Sequence, residues 1–127
     1  MSRKDLVAVF FGTGLGGVCR YLMGQIAVLQ PLGLATLVVN YLGTFVLVFV
    51  VQGYLPAKKS SKRLILALGT GFCGGFTSFS TAMLELFRYL ERGEILSFIA
   101  YGIALFIGGL LVTYIAHTLA RRVYRDY

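Results

Sequence analysis

Glycines and hydroxyl residues gather where an apolar run would normally carry leucine and valine. The stretch Gly69 to Thr81, GTGFCGGFTSFST, holds four glycines and five hydroxyl side chains in a segment without charge from Leu64 to Leu84. A glycine costs a helix about 1 kcal/mol relative to alanine. Helix-breaking residues at membrane depth are tolerated only where the freed backbone groups meet protein, water or an ion. The stretch therefore predicts a helix broken near its middle. Its freed carbonyls would suit a hard cation, which takes oxygen ligands and satisfies several at once.

Three polar residues stand out in the other apolar runs. Asn40 lies among Val38, Val39, Leu42 and Val46, and its amide offers two N–H donors. One reading is glue between helices. The other sets it beside the hydroxyls of Ser78, Ser80 and Thr81, as neutral donors with no lysine among them. Such donors suit a small, strongly hydrated anion, whose water must be replaced without trapping it by a full charge. Phe79, among the hydroxyls, can add its electropositive ring edge or simply fill a core. Arg20 costs about 2.5–3.5 kcal/mol on insertion scales, and marks a pathway or snorkels from the far end of its span. Glu85, one turn past the glycine-rich stretch, is placed to support it or to reach the last span.

Other motifs are less informative. Gly12-Thr13-Gly14-Leu15-Gly16-Gly17 and Gly69-Thr70-Gly71-Phe72-Cys73-Gly74 both satisfy GxGxxG, but neither follows a strand in a βαβ unit, as nucleotide binding requires. Gly12/Gly16 and Gly71/Gly75 read instead as small-residue faces that let helix backbones approach closely. Cys19 and Cys73 make no metal motif and read as small core residues; His117 reads as interfacial. There is no Ser-His-Asp set, no carboxylate pair and no metal-ligand spacing, so the chain is not expected to be an enzyme.

The elements that position these residues follow from composition. The chain of 127 residues is 57% hydrophobic and 13% charged, with mean hydropathy +0.80, against about 25% charged in soluble domains. It reads as a single all-α transmembrane domain, 1–127, with spans at about 6–29, 34–55, 64–90 and 95–120, each near the roughly 20 residues that cross a bilayer. Gln30-Pro31-Leu32-Gly33 and Arg92-Gly93-Glu94 read as turns. The amino-terminal apolar run lacks a small-x-small cleavage site and reads as a retained span. Net charge is +7, but Arg3, Lys4, Lys58, Lys59, Lys62, Arg63, Arg121, Arg122 and Arg125 fall on one face, whereas Arg88 and Arg92 on the other are offset by Glu91 and Glu94. That bias predicts cytoplasmic termini and contact with lipid headgroups rather than nucleic acid.

The core Gly69–Thr81, with Ala35-Thr36-Leu37-Val38-Val39-Asn40 in span two and Gly16-Gly17-Val18-Cys19-Arg20-Tyr21 in span one, resembles the small bacterial fluoride channels called Fluc or CrcB. The likeness covers essentially the whole chain. It implies an antiparallel dimer in the bacterial inner membrane that exports fluoride passively and relieves its toxicity. It also implies a structural Na+ at the dimer centre, on the backbone carbonyls of Gly74 and Thr77. The implied pore positions are Asn40, Phe79, Ser80, Thr81, Tyr101 and Thr113, with Arg20 in the vestibule.

The departures from the family pattern are specific. Ala82 stands where a second pore phenylalanine is expected, and Leu105 and Gly109 stand at positions often polar. With the strong charge bias, they point to one half of a two-gene pair, facing an oppositely oriented homologue; a homodimer is the alternative. Two other readings are a proton-coupled small multidrug-type exporter, which needs a membrane-embedded acid and has only Glu85, and a structural subunit whose own pore is inactive.

Overall fold

The computed structural model describes residues 1–26, 29 and 33–124, all of them helical or in short connections. Four helices are long and apolar enough to cross a membrane: Arg3–Gly24, Leu34–Ala57, Lys62–Glu91 and Ile95–Val123. We label Arg3–Gly24 α1 and Leu34–Ala57 α2. The third span contains α3 (62–76) and α4 (Phe79–Glu91), and Ile95–Val123 is α5.

Local chemistry sets the ends. A capping box opens α1: the Ser2 hydroxyl accepts from the Asp5 N–H, and the Asp5 carboxylate accepts from the Ser2 N–H. This satisfies two of the four donors a helix start leaves unpaired, and so α1 begins three residues before the expected position 6. It ends at Gly24, short of the expected 29, where the Gln25 N–H closes back onto Leu22 O. Of the expected first turn, residues 30–32 lie outside the described residues, as do 27 and 28 and the tail 125–127. Gly33 has φ 68°, and a Cβ there would lie 2.4 Å from Glu85 Oε2; backbone and crowding both require glycine.

Two spans widen into π-helical turns, α2 over Val46–Tyr54 and α3 over Ala67–Cys73. In α2 the Leu55 N–H reaches back five residues to Val50 O. Pro56 follows, with no N–H to continue a four-residue register. Within the third span, Thr77 (φ −84°, ψ 159°) and Ser78 (φ −147°, ψ 110°) have extended backbone, and helical geometry resumes at Phe79.

The extended pair divides the packing of the third span. Before it, α3 lies along α1; after it, α4 packs on α5, and α2 also packs on α5. The α1–α3 seam is backbone against backbone. A Cβ on Gly12 would meet Ala67 O at 2.2 Å, on Gly16 Phe72 O at 2.2 Å, and on Gly75 Thr13 O at 2.2 Å; on Gly71 it would meet Val9 O at 3.0 Å. These are the four glycines whose spacing predicts close approach. Cys73 is buried and Cys19 half-buried, both as free thiols.

The basic segments share one end of the bundle. Arg63 Nε pairs with Asp5 Oδ1 at 3.0 Å, joining the start of α1 to the start of α3. Lys58 Nζ lies 5.9 Å from the Tyr54 ring centroid, and Tyr54 stacks edge-on to Tyr124 at 5.7 Å. Arg125, the last member of the expected basic face, lies outside the described residues.

Candidate functional site

The extended pair is held by one side chain. The Ser78 N–H donates to Asn40 Oδ1 at 2.8 Å, and Asn40 Nδ2 donates to Ser78 O at 3.1 Å. The amide of α2 thus pairs with a single residue's backbone much as a neighbouring strand would. Ser78 is buried, where an unpaired donor or acceptor costs about 1–3 kcal/mol. The Ser78 hydroxyl caps α4 by accepting from the Thr81 N–H at 3.1 Å. Thr77 Oγ1 turns back to Cys73 O at 2.8 Å, and its methyl takes the space a Cβ on Gly43 would fill, 2.2 Å away.

Two carbonyls change status in consequence. In an unbroken α-helix, Gly74 O accepts from the N–H of residue 78 and Thr77 O from that of residue 81. Here those two N–H groups go to Asn40 Oδ1 and Ser78 Oγ. Gly74 is exposed, and nothing lies within 4 Å of where its Cβ would stand.

Cavities open on both sides of the Asn40–Ser78 pair. One, about 420 Å³, is lined by Asn40, Thr44, Thr77 and Phe79, with Ala82 and Leu105 completing an apolar wall. Gly74 and Cys73 also border it. The other, about 440 Å³, is lined by Arg20, Tyr21, Thr36, Ser78, Thr81 and Glu85. Asn40 and Phe79 thus share one cavity, and Thr81 and Arg20 the other. Phe79 is 70% exposed. Ser80 is exposed and lines neither cavity, as is true of Thr113, whose hydroxyl donates to Gly109 O within its own helix at 2.9 Å.

Glu85 ties spans two and four to the third. Its Oε1 accepts from Thr36 Oγ1 at 2.8 Å and its Oε2 from the Tyr101 hydroxyl, which also lies 3.3 Å from Gly33 O. Of the two roles open to Glu85, the hydrogen bonds match the reach to the last span; they go to the flanking spans and not to Thr77 or Ser78. Tyr101 is buried, packed with Leu86 and Tyr89. Thr36 was missed as a partner, although a hydroxyl and a carboxyl each isolated in apolar runs are the signal for such a pair. Also missed was Tyr41, whose hydroxyl donates to Ala104 O in α5, where Gly108 leaves room for the ring.

A fourfold meeting of glycines, an amide-pinned extended pair and two flanking cavities is a distinctive arrangement, and the sequence as a whole has relatives. The model of the family described as CrcB-like protein, Camphor Resistance (CrcB), matches residues 7–117. The chain belongs to the CrcB family. It is 48% identical over 109 residues to Fluoride-specific ion channel FluC 2 of Streptococcus pneumoniae serotype 4, covering 85% of this chain and 88% of that one. It is 35% identical over 121 residues to Fluoride-specific ion channel FluC of Gloeothece citriformis, covering 93% and 98%. To Fluoride-specific ion channel FluC of Pyrococcus furiosus it is 33% identical over 123 residues, covering 96% and 100%. CrcB proteins of this kind are channels and not enzymes.

Proposed function

We propose that this CrcB chain is a subunit of a fluoride channel that lets the ion leave the cell passively, through a path running beside the Asn40–Ser78 pair. The observation that carries the proposal is that pair: an extended interruption, pinned by a neutral amide, with a cavity on either side. Asn40 commits Oδ1 and one N–H to Ser78, leaving its second N–H to donate. With Phe79, Ser80 and Thr81 it supplies neutral donors and a ring edge, enough to replace the water of a small anion without holding it by a full charge. Arg20 stands in the second cavity and would draw the anion toward it. Tyr101 and Thr113, the two α5 positions that the family resemblance implies, would join the track only on giving up the bonds their hydroxyls make to Glu85 and to Gly109 O.

In this reading the third span is a broken helix, and the channel is an antiparallel dimer around a structural sodium ion. Gly74 and Thr77 would hold that ion by their carbonyls. The chain fits the group, because the α-helical donors of both carbonyls are diverted and Gly74 is open for close approach. The ion would supply the charge that offsets these oxygens. The partner is inferred to be an oppositely oriented homologue, with a homodimer as the alternative. The concentration of basic residues at one end and the number in the streptococcal relative's name, FluC 2, support a two-gene pair with both termini of this chain cytoplasmic.

Ala82 and Leu105 favour a second reading, in which this chain's own cavity is inactive and a partner carries the flux. Fluoride efflux from liposomes, read with a fluoride electrode, separates the cases. Efflux with the homologue co-reconstituted and lost on Asn40→Asp, which keeps the oxygen that accepts from Ser78 N–H, or on Phe79→Ile, in a dimer that remains folded, supports a conducting subunit. Efflux indifferent to both substitutions assigns the structural role, and no efflux from a folded dimer refutes the channel.

A further inference from the structure

The last three turns of α5 carry a polar stripe that the proposed channel does not use. Tyr114, His117, Thr118, Arg121 and Arg122 recur at i, i+3, i+4, i+7 and i+8, which places them on one helical face. They line a surface concavity of about 440 Å³. The opposite face is buried: Ala116 and Ala120 are 0% exposed, and Ala120 packs where a Cβ on Gly53 of α2 would reach it at 3.0 Å. The stripe therefore points away from the bundle. Among the described residues the one ion pair is Arg63–Asp5, so neither arginine of the stripe has a described acid beside it. Asp126 lies outside the described residues.

Complementing the negative end of a helix accounts for two arginines in a last turn. It does not account for a histidine and a threonine one turn deeper, or for a tyrosine at the head of the stripe. We infer that this face is a binding site for the phosphate headgroup of an anionic phospholipid. Arginine presents a planar fork that meets a phosphate through two hydrogen bonds, and His117 and Thr118 can add ring and hydroxyl contacts above it. Tyrosine is enriched at the membrane–water boundary. A lipid is favoured over free phosphate because Leu110, Leu111 and Ile115, toward the centre of the same span, are exposed large apolar residues that acyl chains would cover. The site lies at the basic end of the bundle, the end that faces an anionic leaflet in the proposed orientation.

Native mass spectrometry of the full chain in a neutral detergent tests the site. Phosphatidylglycerol and phosphatidylcholine with identical acyl chains are added in equal amounts. The expected result is selective retention of phosphatidylglycerol. Each basic group near an anionic surface contributes about fivefold to binding, so R121Q/R122Q should weaken retention about thirtyfold. K58Q/K59Q, with the same charge loss at the neighbouring loop, should leave retention unchanged. His117→Gln should weaken it severalfold, and provides the test if the double variant fails to fold by circular dichroism. Equal retention of the two lipids, or equal loss in K58Q/K59Q, would overturn the site. Displacement of phosphatidylglycerol by millimolar inorganic phosphate would overturn the lipid assignment.

Discussion

Gly16→Ala should separate α1 from α3, whereas Gly17→Ala should not. The two substitutions are the same in chemistry and adjacent in sequence, so helix propensity favours both by up to about 1 kcal/mol. They differ in what the new methyl meets. At Gly16 it would stand 2.2 Å from Phe72 O, 2.8 Å from Phe76 N and 3.0 Å from Phe72 C, while at Gly17 nothing lies within 4 Å. Ordinary contact begins near 3.4 Å, leaving about 1.2 Å to be made up. The obstructing atoms are backbone, so no rotamer change relieves them and the helices must part. A gap of about 0.5–1 Å already forfeits a quarter to a half of each contact along a seam. Overpacking of this kind sits at the upper end of about 1–3 kcal/mol. After the propensity gain, Gly16→Ala should lose about 2 kcal/mol, against a gain of up to about 1 for Gly17→Ala. Unfolding in lipid–detergent mixtures, followed by dye labelling of the buried Cys73 thiol, measures the difference. Equal stability of the two variants would refute the backbone-to-backbone seam.

Asn40→Leu should strip both partners from Ser78, costing about 2–6 kcal/mol, and hydrogen exchange at the Ser78 amide should accelerate; unchanged protection would show that Asn40 does not hold the extended pair. Thr36→Val and Tyr101→Phe should each cost about 1 kcal/mol in denaturant unfolding. Because both hydroxyls bond to the Glu85 carboxylate, the double variant should depart from additivity by at least about 0.5 kcal/mol, and strict additivity would refute their coupling through that one carboxylate. Arg63→Gln should cost less than about 1 kcal/mol, since the pair with Asp5 is partly exposed; a larger loss of stability would mean the ion pair anchors the amino-terminal helix.

The spans were legible because length and hydropathy are enough to mark them, and the α1–α3 seam was legible because glycines four apart share one helix face. What the glycines meet was not, since Ala67 O and Phe72 O are carbonyls, and every residue has one. The same limit hid the Tyr41–Ala104 contact. The π-helical turns at Val46–Tyr54 and Ala67–Cys73 had no signature either. A one-residue shift in register changes which side chains face the core, but in segments whose apolar run is broken only by Gln52 and Thr70 it leaves the hydrophobic pattern nearly unaltered. Thr36 and Glu85 were separately visible as polar residues in apolar runs, and only the folded spans paired them. The start of α1 is a different case, because Ser2 and Asp5 at three-residue spacing are a helix-start signal written in side chains.

Asn40 carried two open readings, glue between helices and donor to an anion, and the geometry makes them compatible. Its Oδ1 and one N–H are spent on Ser78, and the inventory of a primary amide leaves one N–H over. The first use is what makes the second effective. A side chain held at two points loses little rotamer freedom when it later donates, so the remaining donor is pre-organised rather than recruited. The same pairing diverts the Ser78 N–H from Gly74 O, and the cap at Ser78 diverts the Thr81 N–H from Thr77 O. One two-residue interruption thus yields a donor suited to an anion and two acceptors suited to a cation. On the proposed function these are the permeating fluoride and the structural sodium. Replacing Asn40 should then disturb both sites together, even though the side chain itself would touch only one of the ions.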